Sequence, residues 1–185
     1  MKNRTLLIVL AVLLIMLVAG ISTYNGMITA NERIDNKWGD IDTQLQRRSD
    51  LIPNLVSTTK AYAAQEKEIF TQVAEARSKL AGANSVGEKA QADAELSTAL
   101  SRLLVVVERY PALKSDANFR QLADELAGTE NRLAVARRDY NEAVRDYNTR
   151  IKKFPANMIA GMGGFAARDY YKAQEGAQEV PQVNF

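Results

Sequence analysis

From Ile34 to Leu80 the residues Trp38, Ile41, Leu45, Arg48, Ile52, Leu55, Thr59, Tyr62, Glu66, Ile69, Val73, Ala76 and Leu80 succeed one another in alternating steps of four and three. That is a heptad stripe, and it commits this part of the chain to helix packed in a left-handed bundle. Its phase passes through Pro53, in the stretch RRSDLIPNLV (Arg47 to Val56), without a slip. Proline lacks an amide donor, crowds the carbonyl four residues back and biases the preceding residue away from helix, so the stripe carries a break inside it.

The remaining punctuation is read against that break. Gly82-Ala83-Asn84-Ser85 ends the stripe with a glycine suited to a C-cap, and Ser85 with Glu88 has the spacing of a capping box for the next helix. That helix carries Leu96, Leu100, Leu103, Val107 and Tyr110 on one face and stops at Pro111, after which Ser115 and Asp116 offer N-caps. Phe119, Leu122, Leu126, Leu133, Tyr140, Val144, Tyr147, Ile151 and Phe154 line a last long helix up to Pro155, with Gly128 its weak point. Pro53 and Pro111 lie at similar distances from the turn near Ser85, and folding the chain over at both gives an antiparallel up-down four-helix bundle. That form buries more apolar surface than an extended hairpin. The alternative is a long hairpin whose first helix continues through Pro53 and is merely kinked.

Ahead of the stripe, Leu6 to Ile21 is apolar and uncharged. With Thr5 and the residues to Tyr24 it reaches about twenty residues, enough to cross a bilayer. Lys2 and Arg4 precede it and the next basic residue is Arg33, so the positive-inside bias leaves residues 1–4 in the cytoplasm and the remainder outside. The competing reading is a cleaved signal peptide with Val18-Ala19-Gly20 at the cleavage site. Ile21 stands where a lipoprotein would need cysteine, which excludes lipidation. The expected organisation is a transmembrane helix over 5–24, an extracytoplasmic helical bundle over 25–155, a glycine-rich apolar tail over 156–175 and a disordered end over 176–185.

The chain has no cysteine and no histidine, and its 24 basic and 22 acidic residues nearly balance. Disulfides, thiolate chemistry and the usual neutral-pH proton shuttle are excluded, a metal site would have to be built from oxygen, and no cofactor is implied. No basic block points to nucleic acid. In the tail, Met158, Ile159, Met162, Phe165, Tyr170 and Tyr171 stand among glycines. They either pack back on the bundle or meet the membrane interface or a neighbouring subunit.

Taken together these motifs resemble the LemA family of bacterial membrane-anchored proteins. The matching pieces are the anchor followed by Tyr24-Asn25, KWGDIDTQL with Trp38, RRSDLIPNLV, ERYPALKSDANF from Glu108, ARRDYNEAVRDYN from Ala136 and FPANMIAGMGGF from Phe154. The resemblance implies an N-terminal transmembrane helix, an extracytoplasmic helical domain and no established enzymatic activity. It also implies an association with shaped or growing membranes, or with membrane proteases of the envelope. Many members have histidine where Gln65 stands here, which weakens a metal or proton-transfer role at that position.

Arg48 and Glu66 sit on the first stripe, and Glu130 and Arg137 occupy the equivalent seam of the last helix between Leu133 and its neighbours. Charges in a seam are expensive unless paired, so an internal ion-pair network that fixes register, or partial exposure at helix ends, is expected. A carboxylate-bridged metal site is the functional rival, and it lacks the histidines such bundles use. In a chain doubled at its prolines, Asp50, Glu108 and Asp116 converge with Arg47 and Arg48, as ion pairs and caps or as paired carboxylates for hydrolysis. Tyr140 and Tyr147, seven apart with Asn141 and Asn148 beside them, are core aromatics with polar tips or a docking strip. The expected function is a non-catalytic scaffold or adaptor of the cell envelope that self-associates. The alternatives are a partner of a membrane protease and a lipid-remodelling protein.

Overall fold

A computed structural model describes residues 2–172; the expected disordered end, 176–185, lies outside them. Among the described residues there are six helices and no strand: α1 (Lys2–Tyr62), α2 (Lys67–Gly82), α3 (Val86–Val107), α4 (Pro111–Ser115), α5 (Ala117–Lys152) and α6 (Ala156–Gly163). The chain forms two compact units. Among the described residues, one comprises 2–38 with Asp139–Arg168, and the other Gly39–Arg138 with 169–172.

In the second unit α1 does not turn at Pro53, which lies inside the helix. The reversal expected there falls instead at 63–66. Pro53 leaves the Ser49 carbonyl without its helical donor, and Arg77 Nε supplies one at 2.9 Å while also reaching Ser49 Oγ at 3.1 Å. A side chain from α2 thus replaces the hydrogen bond that proline removes, and the heptad phase continues because the helix does.

Beyond the turn, α2 runs back along α1: Lys60 lies 5.3 Å from the Phe70 ring, and Arg77 has returned to Ser49. The α2–α3 turn is closed by the expected capping box, with Glu88 N–H donating to Ser85 Oγ and Ser85 N–H to Glu88 Oε2, both at 3.1 Å. Gly82 is the last residue of α2 and makes no left-handed cap; Ala83 leaves the helix in extended conformation. Arg102 to Gln72 and Lys79 to Glu95 set α3 antiparallel to α2, whereas Lys89 to Asp42 and Arg48 to Asp93 set it parallel to α1. Asp116 caps α5 through the Phe119 N–H at 2.9 Å and accepts from Tyr62 at 3.0 Å, and Arg132 meets Gln44, so α5 descends antiparallel to α1.

The result is an up-down four-helix bundle built on Ile41, Leu45, Ile52, Leu55, Val73, Leu80, Leu96, Leu103, Phe119, Leu126 and Leu133, all buried. Its 63–66 turn lies beside Pro111: Gln65 donates to the Tyr110 hydroxyl at 2.7 Å, and Arg109 to Glu66 at 3.0 Å. The two matched breaks are therefore 63–66 and 108–116.

The first unit packs the N-terminal part of α1 against the end of α5 through Met27, Ile34, Tyr140, Val144 and Tyr147. The Trp38 and Tyr140 rings lie 5.6 Å apart, and Arg150 donates to the Gly26 carbonyl at 2.6 Å. Phe154, expected to close the core stripe of α5, is instead 80% exposed, because α5 ends at Lys152 and Phe154 lies past it. Nearer the N-terminus of α1, Leu6 to Val18 are exposed all round the helix. A helix apolar on every side needs lipid or protein around it, and this one is long and apolar enough to cross a membrane.

A buried ion cluster as the candidate functional site

Inside the bundle, α1 presents Arg48, α3 Asp93 and α5 Glu130 and Arg137. Each occupies a position where the helical repeat directs an apolar side chain inward. Asp93 is 1% exposed and accepts from Arg48 Nη1 at 2.8 Å on one oxygen, and from Arg137 and the Tyr171 hydroxyl on the other. Arg48 Nη1 also lies 2.6 Å from Glu130 Oε2, and its other terminal nitrogen donates to Ser97 Oγ at 3.0 Å. Arg137 returns to Glu130 at 3.4 Å, so two guanidiniums and two carboxylates close a ring of alternating sign.

Tyr171 completes it. Its ring lies 5.2 Å from the Arg137 guanidinium, a cation–π contact, while its hydroxyl reaches Asp93. Burial pushes the phenol pKa up, the Asp93 charge pushes it further, and Arg137 only partly opposes them, so Tyr171 stays a neutral donor. For Arg137 burial works against the charge, but Asp93, Tyr171 and Glu130 outweigh it and keep the guanidinium protonated. The Nε atoms of Arg48 and Arg137 find no acceptor among the described residues. Two unmet donors make the cluster a device for register more than a source of net stability.

The other candidates are dispersed. Glu66 lies beyond the end of α1, outside the seam, and pairs with Arg109 and the Tyr110 hydroxyl at the turn. Asp50, Glu108 and Asp116 do not converge with Arg47 and Arg48. Asp50 accepts from Gln46 on its own helix, Glu108 pairs with Lys114 at 2.6 Å, Asp116 caps α5, and Arg47 lies 4.0 Å from Glu125. The convergence failed because it required a turn at Pro53. Pro111 opens α4 at a first-turn position where its missing N–H costs nothing. Tyr140 and Tyr147 are core aromatics, and Asn148 exchanges two 2.9 Å hydrogen bonds with the Arg168 backbone. Phe165 packs edge-on to Tyr24, with centroids 5.3 Å apart. Among the described residues no cluster of acidic groups could hold a metal ion.

A model of the LemA family matches residues 37–185, which spans the whole bundle and the ion cluster. The chain belongs to the LemA family. It is 31% identical to magnetosome protein MamQ 2 of Paramagnetospirillum magneticum over 86% of this chain and 68% of that one. It is 29% identical to magnetosome protein MamQ of Magnetospirillum gryphiswaldense over 89% and 71%. Protein LemA of Metamycoplasma hominis is 22% identical over 74% and 63%. With its apolar N-terminal helix, this LemA-family chain is a membrane-associated helical protein.

The reading of the sequence did not place two members of the cluster there: Asp93 was not named, and Tyr171 stood among the tail residues expected to pack back on the bundle or to meet the membrane interface or a neighbouring subunit. Asp93 was accessible to it, because one more step of three back from Leu96 along the α3 stripe lands on that residue. Tyr171 was not: it stands in a non-helical segment with no period to place it.

Proposed function

We propose that this LemA-family chain is a non-catalytic, self-associating scaffold or adaptor of the bacterial cell envelope. Its first helix is anchored in the cytoplasmic membrane with the N-terminus inside and the bundle outside. The observation that carries this reading is the closure of the ion cluster. The interior place whose residue types suit acid–base chemistry spends its charges on one another. Such a cluster fixes how α1, α3, α5 and the Tyr171 segment meet and leaves the outer faces of the bundle for partners. Relatives that carry the name of a cellular structure and not of a reaction support the same choice. A single anchor raises the effective concentration of copies within the membrane plane, which favours self-association.

The test is the mass of the full-length protein in detergent or nanodiscs, together with crosslinking in cells. Multiple copies, or a recovered envelope partner, are expected. A strictly monomeric protein with no crosslinked product overturns the scaffold. A second reading, contact with lipid beyond the anchor, is favoured by the exposed face of α6.

A further inference from the structure

The amphipathy of α6 is inverted. Ala156 and Ala160 are buried, whereas Met158 is 61% and Met162 90% exposed, and Phe154 just ahead of the helix is 80% exposed. Four-residue spacing keeps the two methionines on one face and the two alanines on another. A helix in water would turn its small side chains outward and bury the large ones. Met158 and Met162 form an apolar ridge along α6 on the surface of the first unit, and Phe154 is exposed just ahead of it.

The position of the ridge identifies what covers it. Gly163 ends α6 against Tyr24: a Cβ there would stand 3.1 Å from Tyr24 Cε2 and 2.8 Å from Phe165 Cε2. Phe165 then packs edge-on to the Tyr24 ring. Tyr24 is ten residues beyond Leu14, near the middle of the apolar run. At 1.5 Å per residue that is about 15 Å, half the ~30 Å thickness of a bilayer's hydrocarbon core. Tyr24 therefore sits at the depth where tyrosines anchor in the interface, and α6 is fastened to it there. From Tyr147 to Arg168 the sequence has no acidic residue and four basic ones; Arg168 pairs with Asp35 and Arg150 donates to the Gly26 carbonyl, which leaves Lys152 and Lys153. Lys152 and Lys153, both exposed, directly precede Phe154.

We propose that Phe154, Met158 and Met162 insert into the leaflet on the bundle side of the membrane, with Lys152 and Lys153 on its phosphates, so that α6 is a second membrane contact beside the anchor. The inference rests on the reading that α1 crosses the bilayer. Short apolar wedges flanked by lysine enter the headgroup and upper acyl region without spanning it, and anionic lipid strengthens them.

The absence of cysteine allows single-site labelling. Met162→Cys, Leu14→Cys and Asn36→Cys chains, each carrying an environment-sensitive fluorophore, are reconstituted at full length in phosphatidylcholine–phosphatidylglycerol vesicles. They are challenged with lipid bearing a nitroxide just below the headgroup and with iodide on both sides. The Met162 probe is expected to lose most of its emission to the nitroxide lipid and little to iodide, while the exposed Asn36 site behaves in the opposite way. A Met162 probe quenched by iodide like Asn36 overturns the inference. So does one shielded from both quenchers, which means that a second copy covers the ridge. If Leu14 is quenched by lipid and Met162 is not, only the α6 contact fails; if neither is, the anchor fails and the contact with it.

Discussion

Asp93 is the residue on which the interior of the bundle depends, because it is nearly fully buried and both of its oxygens face guanidiniums. Replacing it with alanine leaves Arg48 and Arg137 sharing Glu130, which is 41% exposed, as their only carboxylate partner in the cluster. Breaking a buried pair from one side costs about 3–5 kcal/mol. Asp93→Ala is expected to destabilise the full-length protein in detergent by about that much, measured by denaturant unfolding, and a loss under about 1 kcal/mol would place the cluster on the surface in energetic terms. Tyr171 makes a separate prediction in alkali. Its phenol pKa is raised in the folded protein, so the stability gained by keeping it protonated is present below the ordinary tyrosine value of about 10 and fades as pH rises above it. Tyr171→Phe should flatten the fall of unfolding free energy with pH above about 10, while wild type falls more steeply. Three of these five residues were legible as charges on a seam. Asp93 lay one step outside the stripe as read, and Tyr171 owes its place to tertiary structure alone.

At the scale of the helix, the question is why a proline inside a heptad stripe neither turns nor ends α1. The carbonyl it orphans belongs to Ser49, and Arg77 on α2 reaches that oxygen. The repair comes from a residue 28 positions away, so no local reading of RRSDLIPNLV could supply it. Periodicity was the better guide here: an unbroken phase across Pro53 already meant a continuous helix, whereas the proline rule describes a backbone without outside help. The break at 63–66 has no proline or glycine to mark it. The turn is held instead by the contacts of Gln65 and Glu66 with Arg109 and Tyr110. This account predicts coupling. Arg77→Met should cost about 1 kcal/mol in the natural chain, since it removes a charged donor from the Ser49 carbonyl. In a Pro53→Ala background, residue 53 offers its own N–H to that carbonyl, and the cost of Arg77→Met should fall by at least half. A double-mutant cycle on unfolding free energies reads this directly, and equal costs in both backgrounds would show that Arg77 serves some other contact.

For the whole molecule, the first helix joins an apolar segment exposed on all sides to a segment whose inner face is buried in the bundle. The anchor's strength can be estimated from its composition. Leu6 to Ile21 contains twelve leucine, isoleucine and valine residues, each favouring insertion by about 0.3–0.6 kcal/mol at the centre of a span, which gives a total of roughly 4–7 kcal/mol. One arginine at the centre opposes this by about 2.5–3.5 kcal/mol, so Leu13→Arg should still leave the protein in the membrane pellet after alkaline carbonate extraction. Two central arginines reverse the balance: Leu10→Arg with Leu14→Arg removes two favourable residues and adds about 5–7 kcal/mol of opposing free energy. The double variant should appear largely in the soluble fraction. Retention of the double variant at the wild-type level would mean that the apolar helix is not the main hold on the membrane, and that the ridge of α6 or a membrane-bound partner carries it.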